Sequence, residues 1–201
     1  AKDLLHLNNK QPDTPPSPVS VESLPASKFP RSVSHTQLMS QQFPPIRYVV
    51  DPFFEQGTVN MLSAPPNTWK SWLLFLAASD ISQGTKFLDT FDTEKTKVMI
   101  VNEEDSARLI QDRMKLLGIT EKSEDIFYRI SNGSKLQKDF IEDLIIETKE
   151  KDIRVVIFDS LRSVHRSNEN DSTEMQEVMD LLKTVARAGL TVIFTHHHRK
   201  K

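Results

Sequence analysis

The chain has 201 residues, a net charge of -2 at pH 7, 37% hydrophobic and 27% charged residues. That is room for one α/β domain plus a tail, with no global basic field to announce nucleic acid, though a local basic patch stays open. The absence of cysteine excludes disulfides, thiolate zinc sites and cysteine nucleophiles and fits a reducing cytoplasm, and no apolar stretch approaches the ~18 residues of a membrane span.

The N-terminus, AKDLLHLNNKQPD, has no signal-peptide apolar region and no initiator Met, as expected of a processed form or a fragment. Residues 8–45 are rich in Pro, Ser, Gln and Asn, and their apolar residues follow no period. Such a segment cannot bury enough surface to offset its ordering entropy. Residues 1–45 are therefore expected to be a disordered tail or linker. The sharper alternative is a docking peptide or polyproline ligand around PDTPPSP.

From residue 46 the texture changes. TVNMLSA (58–64) is a short apolar run and reads as a strand. KSWLLFLAASDIS (70–82) has helical length and apolar spacing. KVMIVN (97–102) is a strand rich in β-branched residues. SARLIQDRMKLLG (106–118) repeats apolar residues at helical spacing and stops at Gly118. DIFYRIS (125–131) is a further strand. SKLQKDFIEDLIIETKEK (134–151) places Leu136, Phe140, Leu144 and Thr148 four apart, with Ile141 and Ile145 beside them. RVVIFDS (154–160) is the nearly continuous apolar run of a buried parallel strand. STEMQEVMDLLKTVARAG (172–189) opens on a capping-box-like Ser-Thr-Glu-Met and closes at Gly189. LTVIFTHHH (190–198) is the last strand and its exit. Strands that alternate with such helices predict βαβ units and a parallel sheet covered on both faces. Ligands of such sheets sit at the carboxyl ends of the strands.

The first strand ends in SAPPNTWKSW (63–72). A phosphate loop of the form G-x-x-x-x-G-K-[ST] would place glycines where Ala64 and Trp69 stand. Lys70 can reach the β- and γ-phosphates, Ser71 can hold Mg2+, and a helix beginning at about Trp69 can supply its dipole. Asn67, Thr68 and Trp72 complete the candidate loop. Pro65 and Pro66 each remove one N–H donor and stiffen the turn. The alternative is a proline-rich turn with an exposed Lys. If the loop works, Trp69 is expected to keep a helical φ and turn its indole away from the phosphates, and Trp69→Gly is expected to keep ATP binding.

Asn102-Glu103-Glu104-Asp105 follows the second strand. A carboxylate there can orient and deprotonate a water near a γ-phosphate, or the acids simply favour a helix first turn. Asp159 closes the RVVIF run in the form of a Walker B acid that binds Mg2+, or acts as a turn Asp. The segment 161–172 is too long and polar for a tight turn. Its Arg162, His165 and Arg166 suit phosphates, of nucleotide or nucleic acid, or plain solvation. The exit THHHRKK (195–201) reads as a metal site, a tag, a γ-phosphate sensor or a basic chain end. Neighbouring residues of an extended segment point oppositely, so at most two of these His share a side.

In their order, these strand ends resemble the RecA-like P-loop ATPases, in the branch near the hexameric plasmid replicative helicase RepA and DnaB-like and KaiC-like proteins. The matching stretches are VNEEDSARLIQDRMKLLG, VVIFDSLRSVHRSNENDS and VIFTHHH, within residues 46–201. The resemblance implies a doubly wound, mostly parallel sheet with ATP and Mg2+ as ligands. It casts Lys70 and Ser71 as the Walker A pair, Glu104 as the residue that activates water, and Asp159 as the Walker B acid. His197, with His196, becomes the γ-phosphate sensor. It further implies a homo-oligomer, up to a hexamer, acting on single-stranded DNA in replication or recombination, with the loops 162–172 and 196–201, including Arg199, at the DNA. Such cores continue beyond the sensor strand, so the chain is expected to be truncated there. A non-catalytic nucleotide-binding regulator or helicase loader, and an α/β interaction protein without nucleotide, remain the alternatives.

Overall fold

The computed structural model describes residues 32–65, 68–119, 123–130, 133, 135–164 and 172–197, with the backbone alone at 172, 174 and 197. The tail expectation for residues 1–31 lies outside them. The chain divides into two units, 1–44 and 45–201. Of the first, residues 32–44 are described and hold the short helix α1 (His35–Ser40), with a capping box between Ser34 and Gln37 at its start. A purely compositional reading of residues 8–45 passes over that local signal.

The second unit opens with an antiparallel pair, β1 (Tyr48–Val50) and β2 (Phe54–Glu55), turning at Asp51-Pro52. The sequence pattern assigned no element there. β3 (Val59–Ala64) and α2 (Lys70–Gln83) follow, then β4 (Lys97–Asn102), α3 (Ala107–Leu116) and β5 (Ile126–Ile130). The chain continues through α4 (Lys138–Glu150), β6 (Ile153–Phe158), the single turn α5 (Leu161–Val164), α6 (Ser172–Arg187) and β7 (Thr191–His197). Every strand and long helix predicted from TVNML onward is present. α4 starts four residues later than its apolar pattern, because Leu136 packs from the preceding turn and Gln137 is the extended cap.

The five main strands form one parallel sheet in the order β3-β7-β6-β4-β5. Successive side chains of a strand point to opposite faces. Val98 and Ile100 accordingly join Val155, Ile157 and Ile193 under α2 and α3, while Met99 and Val101 join Val156, Phe158, Val192 and Phe194 under α4, α5 and α6. Both faces are thus covered, which explains the unbroken apolar runs of β4 and β6. Each fully buried Val, Leu, Ile or Phe contributes roughly 1.5–3 kcal/mol.

The helix ends follow local chemistry. Ser106 caps α3 by accepting from the Leu109 amide. Gly84 ends α2 in the left-handed region at φ 73°, where a Cβ would also meet the Lys95 side chain at 3.0 Å. Among the described residues no helix is long and apolar enough to cross a membrane.

The strand order opens a crevice at one end of the sheet. The chain leaves β3, crosses β7 and β6 through α2, and returns as β4. The carboxyl ends of β3, β7, β6 and β4 therefore stand side by side. Open parallel sheets bind their ligands at such a point.

Candidate functional site

A cavity of about 340 Å3 opens at those ends. Lys70, Ser71, Glu104 and Asp159 all line it, together with Thr68, Trp69 and Trp72. Residues predicted from three separate strand ends are thus brought together by topology alone.

The loop side comes from β3 and α2. Lys70 is the first residue of α2 and is only 7% exposed. Its Nζ donates to the carbonyls of Ala64 at 3.1 Å and Pro65 at 2.7 Å. The ammonium therefore bridges the loop it belongs to. Thr68 Oγ1 donates to the Pro65 carbonyl at 2.6 Å. Trp69 stands at the N-cap with φ 63° and ψ 16°. This corrects the expectation of an ordinary helical φ. The backbone takes the left-handed conformation that glycine supplies in the usual motif, and a bulky L-residue holds it at a cost of roughly 1–2 kcal/mol. The indole is 69% exposed and lies against Trp72, with ring centroids 5.7 Å apart. Pro66 and Asn67 lie outside the described residues.

The acid side comes from β4, β6 and β7. Asp159 is 4% exposed. Its Oδ1 accepts from Ser71 Oγ at 3.2 Å and from Thr195 Oγ1 at 3.1 Å, and its Oδ2 accepts weakly from Asn102 Nδ2 at 3.5 Å. Burial pushes the Asp159 carboxyl above the usual carboxylate range. The Ser71 and Thr195 hydroxyls hold it down in part, and the charges of Glu104 and Asp105 push it up further. A cation at this point would oppose these causes by favouring the charged carboxylate.

Glu104 is exposed, and its Oε1 accepts from Ser160 Oγ at 2.5 Å. Its neighbour Glu103 instead accepts from the Gly133 amide at 3.0 Å. The cavity-lining acid of that pair is therefore Glu104. Asn102 Oδ1 accepts from the amides of Glu104 at 3.0 Å and Asp105 at 2.8 Å, which folds the acidic segment back over the end of β4. Asp105 pairs with Arg113 of α3 at 2.5 Å.

The residues fit Mg2+ with a phosphate ligand. One buried carboxylate beside a hydroxyl suits an ion that keeps water and takes its remaining ligands from phosphates. Among the described residues no group of three His, Asp or Glu forms a closed cage.

Other predicted residues lie apart from this cavity. Arg162 is exposed on α5 and does not line it. His196 and His197 pair in register with Ser63 and Ala64, so the end of β7 runs beside the start of the loop. His165, Arg166 and Arg199 lie outside the described residues; of the span 162–172 expected as a loop, residues 162–164 belong to α5 and residue 172 opens α6. The sequence pattern did not single out Thr195, Ser160, Asn102 and Arg113 as site residues. The available signal was position: Thr195 and Ser160 sit beside residues already singled out at strand ends.

Comparison with known proteins gives two findings. The family described as AAA domain matches residues 24–201. Among solved structures, a KaiC-like protein from the hyperthermophilic archaeon Pyrococcus horikoshii OT3 is similar at 19% identity and a TM-score of 0.54, over 77% of this chain and 73% of that one. The flagellar accessory protein FlaH from Methanocaldococcus jannaschii shows 18% identity and a TM-score of 0.47, over 71% of this chain and 62% of that one. The first likeness carries the fold, a parallel α/β sheet covered by helices on both faces.

Proposed function

The chain belongs to the AAA domain family, and on that premise we propose that its strand-end cavity binds ATP with Mg2+ and hydrolyses the nucleotide within an oligomer. The observation that carries this reading is the meeting of Lys70, Ser71, Glu104 and Asp159 in one cavity. Lys70 exchanges its two loop carbonyls for the β- and γ-phosphates. The N-terminus of α2 adds its dipole and its free amides. Ser71 and Asp159 would hold Mg2+, which neutralises phosphate charge when bound. Glu104 orients the attacking water and accepts its proton, steadied by the Ser160 hydroxyl. His197, with His196, reads the γ-phosphate, a role supported by their register beside Ser63 and Ala64.

In this reading residues 46–201 are the ATPase core and residues 1–45 a tail. On this reading Arg162 of α5, with His165, Arg166 and Arg199, contacts single-stranded DNA. The whole is a cytoplasmic helicase-type motor for replication or recombination, assembled up to a hexamer. Steady-state ATP turnover with and without single-stranded DNA tests it. Turnover that rises with DNA is expected, and turnover indifferent to DNA would remove the motor from the account.

A second reading rests on the loop. Pro65 offers no amide and Trp69 holds a strained left-handed backbone. A loop of this kind suits a regulator or loader that binds nucleotide without turning it over. Binding without turnover, even with DNA present, would select it.

A further inference from the structure

The chain has two tryptophans, and both line the strand-end cavity. Trp69 is 69% exposed, although burial would remove far more of its apolar surface from water. It also stands at φ 63°, where glycine would serve the phosphate loop without strain. Phosphate chemistry needs neither the indole nor its exposure. Trp72, partly buried on the first turn of α2, touches it at 5.7 Å between centroids with the planes 54° apart. Rings so tilted leave no parallel slot between them, so they do not sandwich a flat group. They offer an outer face instead. The polar end of the cavity, at Lys70, Ser71 and Asp159, accounts for the phosphates of a nucleotide and leaves its base to be placed.

We propose that the exposed face of Trp69, braced by Trp72, is a stacking platform for the base of the nucleotide whose phosphates the loop holds. This rests on the reading of the cavity as a nucleoside triphosphate site and adds how the base is held. Stacking engages a π-face that every base possesses, not a hydrogen-bonding edge. The platform therefore takes adenine and guanine alike.

Because tryptophan occurs only here, emission excited beyond the tyrosine absorption band reports on the platform alone. Trp72→Phe leaves Trp69 as the single tryptophan. In that variant of the full chain, saturating Mg2+ with ATP or GTP should quench emission at least twofold, whereas Mg2+ with inorganic tripolyphosphate should change it little. Calorimetry on Trp69→Gly should show ATP affinity falling about five- to a hundredfold more than tripolyphosphate affinity does in the same variant. Tripolyphosphate that binds through Lys70 as tightly as ATP, or ATP that binds without quenching Trp69, overturns the platform and leaves the phosphate site standing. If neither ligand binds, the nucleotide reading and the platform fall together.

Discussion

The two sides of the cavity meet different demands in different ways. The loop side, from Ala64 to Ser71, departs from its usual sequence pattern at both glycine positions. The acid side, at the ends of β4, β6 and β7, is a hydrogen-bonded set of Asn102, Glu104, Asp159, Ser160 and Thr195. The loop must supply a backbone shape, and a shape can be reached by more than one residue if strain is tolerated, as Trp69 does at φ 63°. On the proposed reading the acid side supplies charge at fixed points, Asp159 for a cation and Glu104 for a water. A sequence pattern written around glycines therefore misses the loop, while one written around acids still finds the strand ends.

This contrast can be broken from its acid side first. Glu104→Gln keeps the shape of the side chain and loses the base, so turnover should fall about 10²- to 10⁴-fold with ATP affinity retained. Steady-state hydrolysis beside equilibrium binding checks it, and equal turnover in the variant would take the water-activating role from Glu104. Thr195→Val comes next. It removes a buried donor to the Asp159 carboxylate. A hydrogen bond to a charged group contributes about 1.5–3 kcal/mol, so the melting temperature should drop by about 3–12 °C. An unchanged melting curve would mean Asp159 does not depend on that donor.

Asp159→Asn has a smaller effect, with a sign set by pH. Burial raises the folded-state pKa above the ordinary 3.8. The folded state therefore favours the protonated carboxyl, an advantage complete below the ordinary value and lost as pH rises through the raised one. In buffer with a chelator, the neutral variant should melt above wild type at neutral pH, and the gap should close on acidification. A gap independent of pH would place the cost elsewhere.

On the loop side, the smallest change is Trp69→Gly. Release of left-handed strain opposes the entropy that glycine adds to the unfolded chain, so stability should stay within about 1 kcal/mol. A loss of several degrees in melting temperature would show that the indole holds the loop together through its contact with Trp72.

Much of the fold was legible in the sequence. The unbroken runs of β4 and β6 and the 3.6-residue spacing of α3 and α6 each record which surface is buried. The β1–β2 pair was not read, because a three-residue and a two-residue strand leave too few residues for any period to register. α1 and α5, at six and four residues, escaped for the same reason. In the site, the cavity positions of Lys70 and Ser71 after β3, Glu104 after β4 and Asp159 after β6 were legible because each of those three strands ends at the cavity. Thr195 and Asn102 were not, because their roles depend on which strands are neighbours. β7 lies between β3 and β6, and that order appears only when the sheet is assembled.

The central claim is that Lys70 belongs to a nucleotide site and is not a Lys engaged only with its own loop. A melting curve titrated with ATP and Mg2+ tests it most directly, run on wild type and Lys70→Ala side by side. A ligand that binds only the folded state stabilises it by RT ln(1 + [L]/Kd), about 2.7 kcal/mol at a hundred times Kd. For a chain of this size that is a rise of roughly 5–11 °C. The account predicts that rise in wild type, growing with ATP concentration, and its loss in Lys70→Ala. A wild-type curve that ignores ATP, or an equal rise in both proteins, would contradict it.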